Sequence, residues 1–102
     1  MPSFVYILRC RNGDYYTGLA RTSPEQRVAE HNSGLYDGFT KRRLPVKLVF
    51  AQEFDRVEDA IAAERRIKGW SRAKKEALIA GDLERLGELS RNRARRPIAP
   101  NN

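Results

Sequence analysis

The stretch Phe4-Val5-Tyr6-Ile7-Leu8-Arg9-Cys10-Arg11-Asn12-Gly13-Asp14-Tyr15-Tyr16-Thr17-Gly18-Leu19 decides the fold. Phe4 to Cys10 is rich in β-branched and aromatic residues and predicts a strand. Asn12-Gly13 is a strong short-range hairpin signal, because both residues tolerate the positive φ that a tight reversal needs. Tyr15 to Leu19 then returns as a second, antiparallel strand. Along a strand alternate residues share a face, so Tyr6 goes with Phe4 and Leu8, and Tyr16 goes with Gly18 and opposite to Tyr15. A glycine inside a strand leaves room for a backbone or ligand to approach.

Outward from this hairpin the chain alternates helix starts and stops. Ser23-Pro24-Glu25-Gln26 predicts a helix with Ser23 as cap, Pro24 at the first helical position and Gln26 closing a capping box. Gly34 ends it. Residues 34–45, with two glycines, a proline and three consecutive bases, read as a long loop of the kind that often carries function. Val46 to Phe54 reads as a third strand. Asp55-Arg56-Val57-Glu58 repeats the capping logic and opens a helix to about Lys68, before Gly69. Ser71 caps a third helix ended by Gly81, and Asp82 caps a short last helix carrying Leu83, Leu86 and Leu89. The order is ββαβααα, an α+β fold in which helices pack on a small antiparallel sheet.

The chain has 102 residues, enough for one domain with a modest core. Residues 1–90 are expected to form it. One cysteine excludes an internal disulfide and a cysteine-rich zinc site, which fits a reducing cytoplasm. The longest apolar run, Phe4 to Leu8, is far below the ~20 residues of a membrane span, and no secretory signal is recognisable. The net charge is +7 from 20 Lys+Arg and 13 Asp+Glu. Arg91, Arg93, Arg95 and Arg96 lie in a stretch without acids, so 91–102 reads as a disordered basic tail. Arg65, Arg66, Lys68, Arg72, Lys74 and Lys75 form a second concentration, and Lys41-Arg42-Arg43 a third. Such surfaces attract polyanions through counterion release, which points to nucleic acid.

Three positions admit a functional reading beside a structural one. Glu64 falls within the apolar stripe Val57, Ala60, Ile61 and Ile67, where a carboxylate needs a salt-bridge partner, such as Arg27, or a cation. Mg²⁺ suits a lone carboxylate, since it keeps several waters and takes one or two carboxylates plus phosphate oxygens. Arg27 and His31 are neighbours on one helix face. Arg27 offers a planar fork for phosphate, and His31, the only histidine, exchanges protons near neutral pH.

These residues, in this order, resemble the GIY-YIG endonuclease domain. Phe4-Val5-Tyr6 stands at the first motif, Tyr16-Thr17-Gly18 at the second, Arg27-x-x-x-His31 at the helix motif and Glu64 at the downstream metal-binding glutamate. Glu64-Arg65-Arg66-Ile67-Lys68-Gly69-Trp70-Ser71-Arg72 looks like the small stand-alone bacterial branch, related to the amino-terminal nuclease domain of the repair excinuclease subunit UvrC. The resemblance covers about residues 3–80. It implies a three-stranded antiparallel sheet flanked by helices and hydrolysis of DNA phosphodiesters with Mg²⁺ or Mn²⁺, with low sequence specificity, in DNA repair or recombination. It further implies Tyr16 as general base or water-orienting group, with Tyr6 and His31 in support. Arg27 stabilises the pentavalent phosphate, and Glu64 is the metal ligand. Phe4, Val5 and Thr17 replace the motif's glycine and two isoleucines, and Leu19 stands where several active members have lysine. Arg42, Arg43, Arg65, Lys68, Arg72 and Lys75 are the expected backbone contacts to nucleic acid. The alternative is a non-catalytic nucleic-acid-binding module, with Trp70 or Tyr36 stacking bases, or a subunit that cuts only when a protein partner delivers substrate.

Overall fold

The structure, a computed structural model, describes residues 2–34, 38 and 40–95. Three strands, β1 (Ser3–Cys10), β2 (Tyr15–Ala20) and β3 (Val46–Phe54), form an antiparallel sheet in the order β2-β1-β3. The helices are α1 (Pro24–Asn32), α2 (Val57–Lys68), α3 (Arg72–Ala80) and α4 (Leu83–Arg95), with a 3-10 turn at Lys41–Arg43. This is the ββαβααα order read from the sequence. The chain divides into two compact units, Met1–Gly69 and Trp70–Asn102, parting at the glycine that ends α2. The first unit bears the sheet and the second is helical. Among the described residues no helix is long and apolar enough to cross a membrane.

In the first unit the hairpin closes as its chemistry requires. Gly13 takes a φ of 93°, and its N–H donates to Cys10 O at 2.9 Å. Asn12 Oδ1 accepts from Asp14 N at 3.1 Å, an Asx turn that orients the reversal. The register pairs Tyr6 with Gly18 and Leu8 with Tyr16. On the other side of β1 the ladder slips between Ile7 and Leu8, which pair with Phe50 and Leu48, so Val49 is the extra residue of a bulge.

β1 is the central strand and its Val5, Tyr6, Ile7 and Leu8 are all fully buried. Two helices are needed for this. On the Tyr6 face, Leu8, Cys10, Ala20 and Val46 form a core with Val28 of α1, Leu44 and Leu48 against it. α2 lies against β1 and β2 through Ala60, Ala63 and Ile67, which belong to the Val5–Ile7 side. Burial of Val5, Ile7 and Leu8 stabilises the fold by roughly 1.5–3 kcal/mol each relative to leaving them in water.

Several helix ends behave as the sequence implied, and the start of α2 does not. Ser23 Oγ accepts from Gln26 N, Ser71 Oγ from Lys74 N, and Asp82 Oδ1 from Arg85 N. Gly81 caps α3 in the left-handed region at φ 71°. The capping box of α1 is half formed, because the Gln26 amide turns to the Glu30 carboxylate at 3.2 Å. At α2, however, Asp55 is not the cap. Arg56 occupies that position with extended backbone and no side-chain hydrogen bond.

Two other expectations change. The loop over 34–45 contains the 3-10 turn at Lys41–Arg43, and α4 runs five residues into the stretch read as a disordered tail. Backbone helix there continues from the Leu83, Leu86 and Leu89 pattern, and arginine is a good helix former. The rest of the tail, 96–102, lies outside the described residues, as does Tyr36.

Candidate active site

α1 carries His31 in its last turn, and its burial against the sheet delivers the imidazole to the face that holds Tyr6 and Tyr16. Tyr6 Oη lies 3.3 Å from His31 Nε2. The rings of Tyr16 and His31 meet edge to face with centroids 5.2 Å apart, and those of Tyr6 and Tyr16 are 6.4 Å apart and tilted. Three of the residues read from the sequence therefore form one cluster. His31 is 3% exposed and Tyr6 fully buried, whereas Tyr16 is half-buried and reaches toward solvent.

Gly18 explains how the cluster closes. A Cβ there would sit 2.5 Å from Tyr6 Cζ and Oη. The space that glycine leaves in β2 is thus filled by the Tyr6 ring from the paired position on β1, and no ligand is needed to account for it.

The fourth partner was not visible in the sequence. Thr40 Oγ1 lies 2.8 Å from His31 Nδ1, and Thr40 is 1% exposed. Its only sequence signal is a small polar residue in a long loop, a signal shared with most loop residues. Asn32 was missed for the same reason. Its side-chain amide donates to Val46 O at 3.0 Å and accepts from Val46 N at 2.7 Å, tying the end of α1 to the start of β3.

Arg27 stands one turn before His31, partly buried, with Nη1 3.6 Å from Glu30 Oε1. Burial, and then the charge of Arg27, push the His31 pKa below its usual 6.5, with Glu30 pulling weakly the other way. The imidazole is accordingly neutral at pH 7, with one N–H and one lone pair.

Glu64 lies outside this hydrogen-bonded cluster. α2 buries Ala60, Ala63 and Ile67, so the centre of its inward face passes through Ala63 rather than Glu64. Glu64 falls on the adjoining stripe with Val57 and Ile61, its side chain 17% exposed, and Lys68 Nζ approaches its carboxylate at 3.1 Å. The salt bridge to Arg27 considered from the sequence is not the pairing found. Among the described residues no group of three or more His, Cys, Asp or Glu could cage a metal ion. A single accessible carboxylate fits an ion that keeps its waters and completes its shell with substrate oxygens.

The basic residues fall in both units. In the first unit Arg42 and Arg65 are exposed. Arg43 is partly committed, with Nε 3.2 Å from Asp14 Oδ2 at the hairpin turn. In the second unit Arg72 pairs with Glu76 at 3.2 Å and Lys75 is half-buried. Lys74 Nζ sits 4.4 Å from the Trp70 ring centroid, a cation–π contact that occupies one face of the indole.

Known proteins place this geometry in context. The pattern of the GIY-YIG catalytic domain matches residues 2–77, which include every member of the cluster and Glu64. A UPF0213 protein of Halobacterium salinarum is 47% identical over 75 residues, covering 74% of this chain and 96% of that protein. Another from Streptococcus pneumoniae is 41% identical over 83 residues, 81% of this chain and 83% of its own. The solution NMR structure of a UPF0213 protein from Bacillus halodurans superposes with a TM-score of 0.52 at 39% identity, over 78% of this chain and 84% of that one. The match reaches the sheet, the tyrosine–histidine cluster and the carboxylate helix together, and the chain belongs to the GIY-YIG catalytic-domain family.

Proposed function

We propose that this protein is an endonuclease that hydrolyses DNA phosphodiester bonds with low sequence specificity and with Mg²⁺ or Mn²⁺. The observation that supports it best is the packed Tyr6–His31–Tyr16 cluster with Arg27 one helical turn away, in a chain of the GIY-YIG family. Tyr16, the least buried member of the cluster, would take a proton from the attacking water or orient it. Tyr6 and His31 hold it from behind. Arg27 contributes a bidentate fork to the phosphate as negative charge builds on its oxygens. Glu64 would hold the divalent ion, which when bound would supply Lewis-acid stabilisation of the charge that develops on the phosphate and leaving oxygens. Low specificity is the expectation where Lys and Arg side chains bind chiefly the phosphate backbone, which carries no sequence information.

The test is cleavage of single-stranded, duplex and branched DNA with Mg²⁺ or Mn²⁺, comparing the wild type with Glu64→Ala. Cutting that needs the ion and falls at least 100-fold in the variant, with salt-sensitive binding kept, is the expected result. Binding without cutting by the wild type would favour the non-catalytic module or a subunit that needs a partner, and equal cutting by both would place the chemistry elsewhere.

A further inference from the structure

We infer that Thr40 is a positioning residue that holds His31 in its Nδ1–H tautomer, so that Nε2 accepts the hydroxyl hydrogen of Tyr6. Two sealed contacts support this, Thr40 Oγ1 at 2.8 Å from Nδ1 and Tyr6 Oη at 3.3 Å from Nε2. Both Thr40 and His31 are more than nine-tenths buried, so water does not compete for either ring nitrogen. A neutral imidazole has one N–H and one lone pair, and its two partners must therefore act in opposite senses. Of the two hydroxyls, the phenol is far the stronger acid and the better donor, so the lone pair belongs to Nε2. The Nδ1 hydrogen is left for Thr40 Oγ1 to accept.

The loop fixes Thr40 where this requires. Thr40 opens the 3-10 turn, and its carbonyl oxygen accepts from Arg43 N at 2.9 Å. The Arg43 carbonyl in turn accepts from Arg11 N at 2.9 Å, so the turn is tied to the β1–β2 hairpin. Among the described residues, the other groups facing His31 are Arg27 and Glu30 on α1 and Tyr16 on β2. With its hydrogen directed at Nε2, Tyr6 serves its remaining neighbours as an acceptor, and this sets the polarity of the whole cluster. The kinetic part of this inference rests on the nuclease reading; the tautomer does not.

His31 is the only histidine, so the ring ¹⁵N spectrum of the full chain assigns itself. The expected wild-type spectrum shows a protonated Nδ1 and an unprotonated Nε2. Thr40→Val should mix the tautomers and lower kcat roughly 10-fold or more with KM little changed, as loss of an orienting partner does elsewhere, and Thr40→Ser should restore both. A wild-type ring protonated at Nε2 or averaged between tautomers would overturn the inference, and this holds even if Thr40→Val does not fold. A folded Thr40→Val with the wild-type spectrum, or with altered tautomers and unchanged kcat, would also overturn it. A wild type that shows the expected tautomer but cuts no DNA would remove the nuclease reading and leave the positioning role standing.

Discussion

Thr17 and Gly18 are adjacent in β2 and face opposite sides of the sheet, and each is explained by what fills its surroundings. Gly18 is small because Tyr6 lies over it. Thr17 is 3% exposed, and among the described residues its hydroxyl meets no hydrogen-bond partner. A buried hydroxyl without a partner carries its desolvation cost uncompensated. Thr17→Val keeps the shape and removes that hydroxyl, so it should stabilise the fold by about 1 kcal/mol, read as a higher urea midpoint with an unchanged m-value. A lower midpoint would mean that the hydroxyl is satisfied. His31 gives a second residue-scale expectation. Above pH 6.5 the imidazole is neutral in folded and unfolded chains alike, and it costs nothing. As the pH falls below 6.5 the unfolded chain takes up a proton that the folded chain resists, because the folded pKa is lowered. Stability should therefore fall with pH by up to about 1.4 kcal/mol per unit until the folded pKa is passed. Urea titrations at pH 7.5 and 5.5 check this. His31→Gln should flatten that slope, and a variant with the wild-type slope would assign it to other groups.

At the scale of elements, the helix starts divide by whether a side chain meets the first free N–H groups. α1, α3 and α4 have Ser23, Ser71 and Asp82. α2, which carries Glu64, begins at Arg56 with extended backbone suited to a capping residue but no side-chain bond. Arg56→Ser should supply the missing acceptor, stabilising by on the order of 1 kcal/mol and raising Tm by several degrees for a chain of this size. An unchanged Tm would show that water already satisfies those groups. The strands, the hairpin and three of these caps were legible because each rests on a local rule, period-two burial or a small polar residue one step before a helix. The Asp55 cap was misread because the rule cannot tell which of two adjacent residues turns into the helix. The site divided along the same line. As candidates, Tyr6, Tyr16, Arg27, His31 and Glu64 were legible from side-chain chemistry, helix position and motif spacing. Thr40 and Asn32 were not, because each acts on a partner brought near only by the return of the chain through the loop before β3. Glu64 reads as part of the α2 stripe because Val57 and Ile61 extend the apolar face toward it, whereas the buried positions Ala60, Ala63 and Ile67 turn that face to the other side of Ala60.

For the whole molecule the question is how a chain with +7 net charge holds a polyanion when its basic side chains are so often engaged at home. Arg43, Lys68 and Arg72 each have a carboxylate within 3.2 Å, and Lys74 covers Trp70. A base already paired has given up part of the counterion release that drives binding, so those residues contribute less to affinity than their number implies. Residues 91–102 hold four arginines and no acid, while the remaining 16 bases share residues 1–90 with all 13 acids. On the nuclease reading proposed above, that asymmetry predicts for the terminal stretch a share of DNA binding well beyond its length. Each phosphate neutralised contributes about 0.9 to the slope of log K against log salt on duplex DNA. A chain ending at Ser90 should therefore bind more weakly at low salt, with a slope shallower by up to about 3 to 4 units, while cleavage at saturating DNA keeps its rate, since the tyrosine–histidine cluster lies far earlier in the chain. Fluorescence anisotropy with a labelled duplex between 50 and 300 mM salt reads the slope directly. An unchanged slope would put the phosphate contacts on Arg42, Arg65 and the other bases of the body, and a lost turnover at saturation would show that the terminal stretch does more than hold DNA.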